Sequence, residues 1–231
     1  MRPRQTLLLG LLLLVPVLAF LFLYGFGSNH YALPTYLPER ADSVRTTGGG
    51  WQRDTVYHRV RLSALQSATD QAAAAKTLGQ GLYIIQVLSA ANPNEQDSQG
   101  AREMMRVQEK FRREPRVRLA TLVPASSGQA TEQLQKLSEQ YGTISGKWLV
   151  LAVAPDSVRH LAQYELGLTA LQPQHFPFRP ATEPATLTAG RLLLLDDAQH
   201  VRGIYDGTDI HEIERLLTEI NVLLYTYDHR R

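Results

Sequence analysis

The apolar positions fall into two regimes. Thr6 to Phe26 (TLLLGLLLLVPVLAFLFLYGF) is a continuous apolar run without a charge, and from Asp54 onward short apolar blocks alternate with amphipathic stretches. The first run is long enough to cross a hydrocarbon core, which takes roughly 20 helical residues. Pro16 inside it is tolerated in lipid. Arg2 and Arg4 precede the run, and the first charge after it is Glu39. The positive-inside rule therefore makes residues 1–27 a cytoplasmic N-terminus with one transmembrane helix, and places everything beyond on the far side. A cleaved signal peptide is the alternative, but its apolar core is shorter and no small-x-small cleavage site follows Tyr24 cleanly.

Residues 28–50 carry Pro34, Pro38 and the run Thr46-Thr47-Gly48-Gly49-Gly50. They read as a juxtamembrane stalk ending in a flexible joint, with Tyr31 and Tyr36 at the depth of interfacial anchors. The folded domain is then residues 51–231. Asp54 to Leu62 alternates loosely through Val56, His58 and Val60 and reads as an edge strand; Ala72 to Leu78 reads as a short helical turn. Leu82 to Leu88 (LYIIQVL) is a strand buried on both faces. The polar loop Ser89 to Gly100 follows, and then Ala101, Met104, Val107 and Phe111 recur at helical spacing.

The alternation continues with a strand at Val117 to Val123 and a helix at Thr131 to Tyr141, closed by Gly142. A buried strand follows at Trp148 to Val153, and then a helix capped by Asp156 with Val158, Leu161, Ala162 and Leu166 on one face. A Pro-rich excursion, Leu171 to Thr188, leads to Leu192–Leu195, a turn at Asp196–Gln199, and Val201 to Tyr205 as a hairpin. The last helix carries Ile210, Ile213, Leu217, Ile220, Leu224 and Tyr227 on one stripe, with Asp209 and Glu212 spaced as a capping box. The order β-α-β-α-β-α-β-β-α predicts an α/β domain with a mainly parallel sheet, closed by a hairpin and helix as in a thioredoxin-like fold.

Composition narrows the chemistry. The chain of 231 residues has 44% hydrophobic side chains, enough for a core, and no cysteine. A disulfide, a redox dithiol and a thiolate metal ligand are therefore excluded. Arg2 and Arg4 account for the whole formal charge of +2, so no basic face marks a nucleic-acid binder. No P-loop, dinucleotide fingerprint or Gly-x-Ser-x-Gly elbow is present.

Several stretches, in order, resemble the Sco/SenC family. These are Gly27-Ser28-Asn29-His30-Tyr31 with Leu33-Pro34, Met104 to Phe111 (MMRVQEKF), Leu137 to Trp148 (LSEQYGTISGKW), and Tyr205-Asp206-Gly207-Thr208 with Ile213 to Leu217 and Glu219-Ile220. The resemblance implies a membrane-anchored thioredoxin-like domain of the kind that helps load copper into respiratory cytochrome oxidase. It also implies a copper site made by a Cys-x-x-x-Cys loop and a distant histidine. In this chain the matching positions are Pro93 (Asn92 or Asn94 with an indel), Asp97, and Thr188 in Leu187 to Arg191; Pro124-Ala125-Ser126 replaces the family's acidic Val-Asp-Pro loop. Cu(I) is held by soft sulfur ligands, which a carboxylate and a hydroxyl do not replace.

The other candidates are weaker. Glu95 with Asp97 supplies two oxygens where a hard cation takes several. His175, in the Pro-rich excursion, could approach the old site as a lone imidazole. Met104 belongs to the core stripe and Met105 falls off it.

The resemblance thus implies a Sco-like accessory factor in cytochrome c oxidase assembly, not an enzyme, acting by protein binding with no cofactor of its own. Its expected partners are the membrane and an oxidase subunit or another copper chaperone, with no nucleic acid. The expected partner surface is Asn92, Asn94, Asp97 and His175, and the expected location is the cytoplasmic (inner) membrane with the C-terminal domain periplasmic. A residual copper or metal carrier with non-cysteine ligands and a cysteine-independent enzyme in the thioredoxin cleft are the alternatives.

Overall fold

The structure, a computed structural model, describes residues 14–22, 33–45, 51–61, 81–90, 92–125, 130–161 and 189–229. The chain divides into two units, Met1–Ala32 and Leu33–Arg231. In the first, residues 14–22 are α-helical, with Leu14, Val15, Val17, Leu18, Phe20, Leu21 and Phe22 exposed. Among the described residues no helix is long and apolar enough to cross a membrane; the rest of the Thr6–Phe26 run lies outside them.

The second unit begins earlier than the Trp51 boundary expected from the sequence. Leu33 is buried in the core, and Pro38–Arg45 (β1) pairs antiparallel with Trp51–Tyr57 (β2) as a separate two-stranded sheet. Arg45 pairs with Trp51; the joint expected at Thr46 to Gly50 lies outside the described residues. The edge strand expected at Asp54–Leu62 is displaced toward the N-terminus, and Val60 instead buries completely while its N–H donates to the Gln199 carbonyl at 2.9 Å. The turn expected at Ala72–Leu78 lies outside the described residues.

From Leu82 on the element order is the expected one. It runs β3 Leu82–Val87, α1 Glu95–Lys110, β4 Val117–Pro124, α2 Ala130–Gln140, β5 Trp148–Val153, α3 Pro155–His160, β6 Arg191–Leu195, β7 Val201–Asp206 and α4 Ile210–Asp228. The sheet order is β5-β4-β3-β6-β7, with β3, β4 and β5 parallel and β6 and β7 antiparallel. Central β3 is buried at every position. Its alternate residues feed two cores. Leu82, Ile84 and Leu88 pack with Met104, Leu137, Trp148, Ile213 and Leu217; Tyr83, Ile85 and Val87 pack with Val60, Val158, Leu161 and Val201. Each such aliphatic side chain contributes about 1.5–3 kcal/mol on burial.

Local chemistry sets the ends of the helices. Gly142 follows α2 at φ 57, the left-handed conformation expected of it. Asp209 caps α4 by accepting from the His211 N–H at 2.9 Å, but Glu212 turns to Arg215 and no reciprocal box forms. The N-cap of α3 is Ala154 with Pro155 next, so Asp156 sits inside the first turn and makes no cap. Met105 is partly buried against the first core.

Candidate functional site

At the C-terminal end of β3 and the N-terminal end of β6 the chain must join a polar loop, a helix start and a turn. The predicted loop Ser89–Gly100 is only half loop, because Asn94 caps α1 and starts it at Glu95. The cap is reciprocal. Asn94 Oδ1 accepts from the Asp97 N–H at 2.7 Å, and Asp97 Oδ2 accepts from the Asn94 N–H at 3.4 Å. The pattern Asn-x-x-Asp does what Ser-x-x-Glu does in the usual capping box.

Asp97 goes further than a cap. Its side chain is fully buried, and three more donors reach it. Ser89 donates to Oδ2 through its N–H at 3.2 Å and its Oγ at 2.7 Å, and the Gly190 N–H donates to Oδ1 at 3.2 Å. The Asp97 carbonyl accepts from Gln86 Nε2 at 2.7 Å. A buried charge is costly unless it is fully hydrogen-bonded. Here neutral N–H and O–H dipoles and the positive end of α1 supply that compensation.

Three glycines make the close approach possible. The Gly207 N–H donates to the Gly190 carbonyl at 2.8 Å, and a Cβ on Gly207 would lie 2.5 Å from that oxygen and 2.8 Å from the Gly100 Cα. Gly190 has φ 65, and a Cβ there would meet the Gln96 carbonyl oxygen at 2.9 Å. The start of α1, the turn before β6 and the turn after β7 therefore touch backbone to backbone.

The sequence candidates are placed as follows. Asp97 is the centre of this network, Pro93 is half-buried in the loop before it, and Asn92 and Asn94 are exposed. Thr188 and His175 lie outside the described residues. Glu95 is exposed while Asp97 is buried and saturated with donors, so the two do not form the oxygen shell considered for a hard cation. Among the described residues no group of three or more His, Cys, Asp or Glu side chains is arranged to hold a metal ion. Met104 is buried in the core.

Ser89, Gln86, Gly100, Gly190 and Gly207 were not singled out in the sequence. Asn94-x-x-Asp97 ahead of an apolar stripe was the available signal for the helix start. Nothing local signalled that Gly190 would meet Asp97. Two buried oxygens near these elements, Gln86 Oε1 and the Tyr141 hydroxyl, have no hydrogen-bond partner in the structure. Burial first, and the charge of Asp97 second, push the Tyr141 phenol up to about 12.

A second polar cluster ties β7 to α4. The Tyr205 hydroxyl donates to Glu219 Oε2 at 2.5 Å, Arg215 Nη1 pairs with Glu219 Oε1 at 3.2 Å, and the Arg215 guanidinium lies 4.3 Å above the Tyr205 ring. Arg215 also donates to Glu212 and to the Ile204 carbonyl. Every partner is satisfied within the cluster, which holds the helix on the sheet.

No family model matches the sequence, and no curated protein is similar to it at a significant level. The fold, however, has solved counterparts. A SCO1/SenC family lipoprotein from Bacillus anthracis aligns with a TM-score of 0.50 at 11% identity, over 85% of this chain and 99% of that one. BsSco, a member of the Sco family of cytochrome c oxidase assembly proteins, aligns at 0.48 and 11% identity, over 83% and 95%. Arabidopsis thaliana ScoI with copper bound aligns at 0.45 and 10% identity, over 83% and 100%. The architecture is thus a mixed α/β, thioredoxin-like fold of the kind found in the Bacillus anthracis lipoprotein.

Proposed function

We propose that this chain is a divergent, cysteine-free Sco/SenC-type protein. In this reading it is a membrane-anchored accessory factor in respiratory cytochrome c oxidase assembly, and it works by binding protein, without a copper site, a thiol couple or an enzymatic reaction of its own. The apolar run Thr6–Phe26 and the preceding arginines support an inner-membrane anchor with the domain on the periplasmic side.

The observation that carries the proposal is the Asp97 network. The family resemblance puts a metal-ligating cysteine at Asp97 and a histidine near Thr188. In this chain Asp97 bonds to the Gly190 amide, two residues past Thr188. The loop and the turn that a metal would join are joined here by a carboxylate and an N–H. With its oxygens committed to Ser89, Asn94 and Gly190, Asp97 is a poor ligand, which counts against a residual metal carrier at this position. The network leaves Asn92 and Asn94 exposed on a pre-organised loop, where a partner such as an oxidase subunit or another copper chaperone would dock.

The test is genetic. Deleting the gene in its host should lower the assembled, haem-containing oxidase several-fold, and the cysteine-free wild-type protein should restore it. Unchanged oxidase content in the deletion strain would contradict the proposal.

A further inference from the structure

The end of the sheet opposite the Asp97 network holds a run of cations. Between the end of α1 and the start of β4 the chain carries Lys110, Arg112, Arg113, Arg116 and Arg118 against one acid, Glu114. The turn between the two elements is fixed. The Leu82 N–H donates to the Arg116 carbonyl at 2.8 Å, and Lys147 Nζ donates to the Glu114 carbonyl at 2.6 Å. Lys110, Arg112, Arg113 and Pro115 are exposed, while Arg116 and Arg118 are half-buried. The acids around the turn already have partners. Glu109 pairs with Arg112 at 3.5 Å, and Glu114 and Asp228 pair with Arg116 at 2.8 and 2.6 Å. Lys110 and Arg113 have no ion pair among the described residues, so the turn keeps an excess of positive charge at its surface.

The same end of the sheet receives the chain from its N-terminal side. Leu33 opens the second unit, and its carbonyl accepts from Arg202 Nη2 at 2.6 Å. Arg202 also pairs with Asp196 at 3.1 Å, at the turn between β6 and β7. Helix α4 links that turn to the cations. The Tyr227 hydroxyl accepts from the Asp197 N–H at 3.2 Å, and the next residue, Asp228, pairs with Arg116. Exposed Asp197 is one further acid at this end. In sequence, Leu33 follows the last residue of the apolar run, Phe26, by a stretch that reaches at most about 25 Å when fully extended.

We infer that the α1–β4 turn rests on an anionic phospholipid surface, with Lys110 and Arg113 as the main headgroup contacts. The inference builds on the reading of Thr6–Phe26 as a membrane anchor. A lipid surface fits because the cations and the chain entry share one end of the sheet. Each Lys or Arg close to an anionic bilayer strengthens binding roughly fivefold. Two unpaired cations are too few to hold an untethered protein, but a tether raises the local concentration of headgroups and makes a weak contact sufficient. The contact would orient the domain, with the loop that carries Asn92 and Asn94 turned away from the bilayer.

The chain has no cysteine, so single thiols can carry a fluorophore to chosen places. Pro115→Cys labels the turn and Glu95→Cys labels the opposite end of the sheet. Each full-length chain is reconstituted into vesicles of phosphatidylcholine, alone or mixed with phosphatidylglycerol, that contain a headgroup-nitroxide quencher. Quenching of the Pro115→Cys label should be about threefold stronger with phosphatidylglycerol, and that of the Glu95→Cys label unchanged. The gain should vanish in about 0.5 M NaCl, where screening shortens to roughly 4 Å, and in the Lys110→Gln/Arg113→Gln variant. Circular dichroism melting checks folding, and Lys110→Ser/Arg113→Ser replaces the double variant if it is unfolded. Equal quenching in the two kinds of vesicle would overturn the inference and leave the turn to an acidic protein surface. A gain that the double variant keeps would overturn it too. Flotation of the chain with phosphatidylcholine vesicles reports the anchor separately. Without flotation the anchor reading fails and this inference with it; with flotation and equal quenching, this inference fails alone.

Discussion

Asp97 and Gly190, 93 residues apart in sequence, meet through a 3.2 Å hydrogen bond from the glycine N–H to the carboxylate. That bond closes the end of the sheet where α1 begins. Asp97→Ala would strip the acceptor from Ser89, Asn94 and Gly190 at once and leave a cavity. The expected cost is about 3 kcal/mol, because buried donors left unmade are each expensive. Asp97→Asn, which keeps one acceptor oxygen, should fall between the alanine variant and wild type. Urea denaturation measures both; a loss below about 1 kcal/mol for the alanine variant would mean the network is not holding the site.

The glycine contacts give a contrasting pair. In Gly207→Ala the new methyl has only backbone to meet, at 2.5 and 2.8 Å, and no flexible side chain can yield. A loss of about 2 kcal/mol or more is expected. Gly142→Ala adds a methyl with nothing within 4 Å, at φ 57. It should cost only the left-handed strain, about 1–2 kcal/mol. Thermal melts should therefore rank Gly207→Ala below Gly142→Ala, and the reverse order would contradict the close packing.

Alkaline stability should fall between about pH 10 and 12. Burial holds the phenols of Tyr83, Tyr141, Tyr205 and Tyr227 above their ordinary value of 10, with Tyr141 at about 12 and Tyr205 raised further by Glu219. In that window the unfolded chain has lost these protons while the folded chain keeps them. Fewer protons are bound in the unfolded state, so the slope of stability against pH is negative. Lys147, lowered by burial, works in the opposite direction as one group against four. Urea midpoints measured from pH 8 to 11.5 should decline, less steeply in Tyr205→Phe. A flat profile would contradict the burial of these phenols.

Arg202 staples the first residues of the unit to the β6–β7 hairpin. Its Nη2 and Nε donate to the Leu33 and Pro34 carbonyls at 2.6 and 3.0 Å, and Nη1 pairs with buried Asp196 at 3.1 Å. Arg202→Ala should raise hydrogen exchange at Tyr36, whose N–H donates to the Val201 carbonyl, and cost about 2 kcal/mol through the weakened hold on Asp196. Exchange unchanged at Tyr36 would show that the segment is held by other contacts.

What could be read from the sequence was what depends on periodicity. The buried runs Leu82–Leu88 and Trp148–Val153 and the apolar stripe of α4 reported their elements directly, because burial on two faces or one stripe leaves a mark at every position. Pro38–Arg45 carries four charges and one valine, so no apolar alternation marked it as a strand. At the candidate site, Asp97 was found as a substitution but read as exposed loop chemistry. Its burial depends on Gly100 of α1 meeting Gly190 and Gly207 from the turns before β6 and after β7, and contacts of that range have no local signature.

The most direct test of the central claim is a Cu(I) competition titration of the full chain against a chelator of moderate affinity, on the wild type and on Asp97→Asn. The expected result is that no Cu(I) uptake depends on Asp97, with the two proteins giving the same curve. Stoichiometric uptake by the wild type that disappears in a folded Asp97→Asn variant would contradict the account, because it would make the carboxylate a ligand instead of the hydrogen-bonded link between loop and turn.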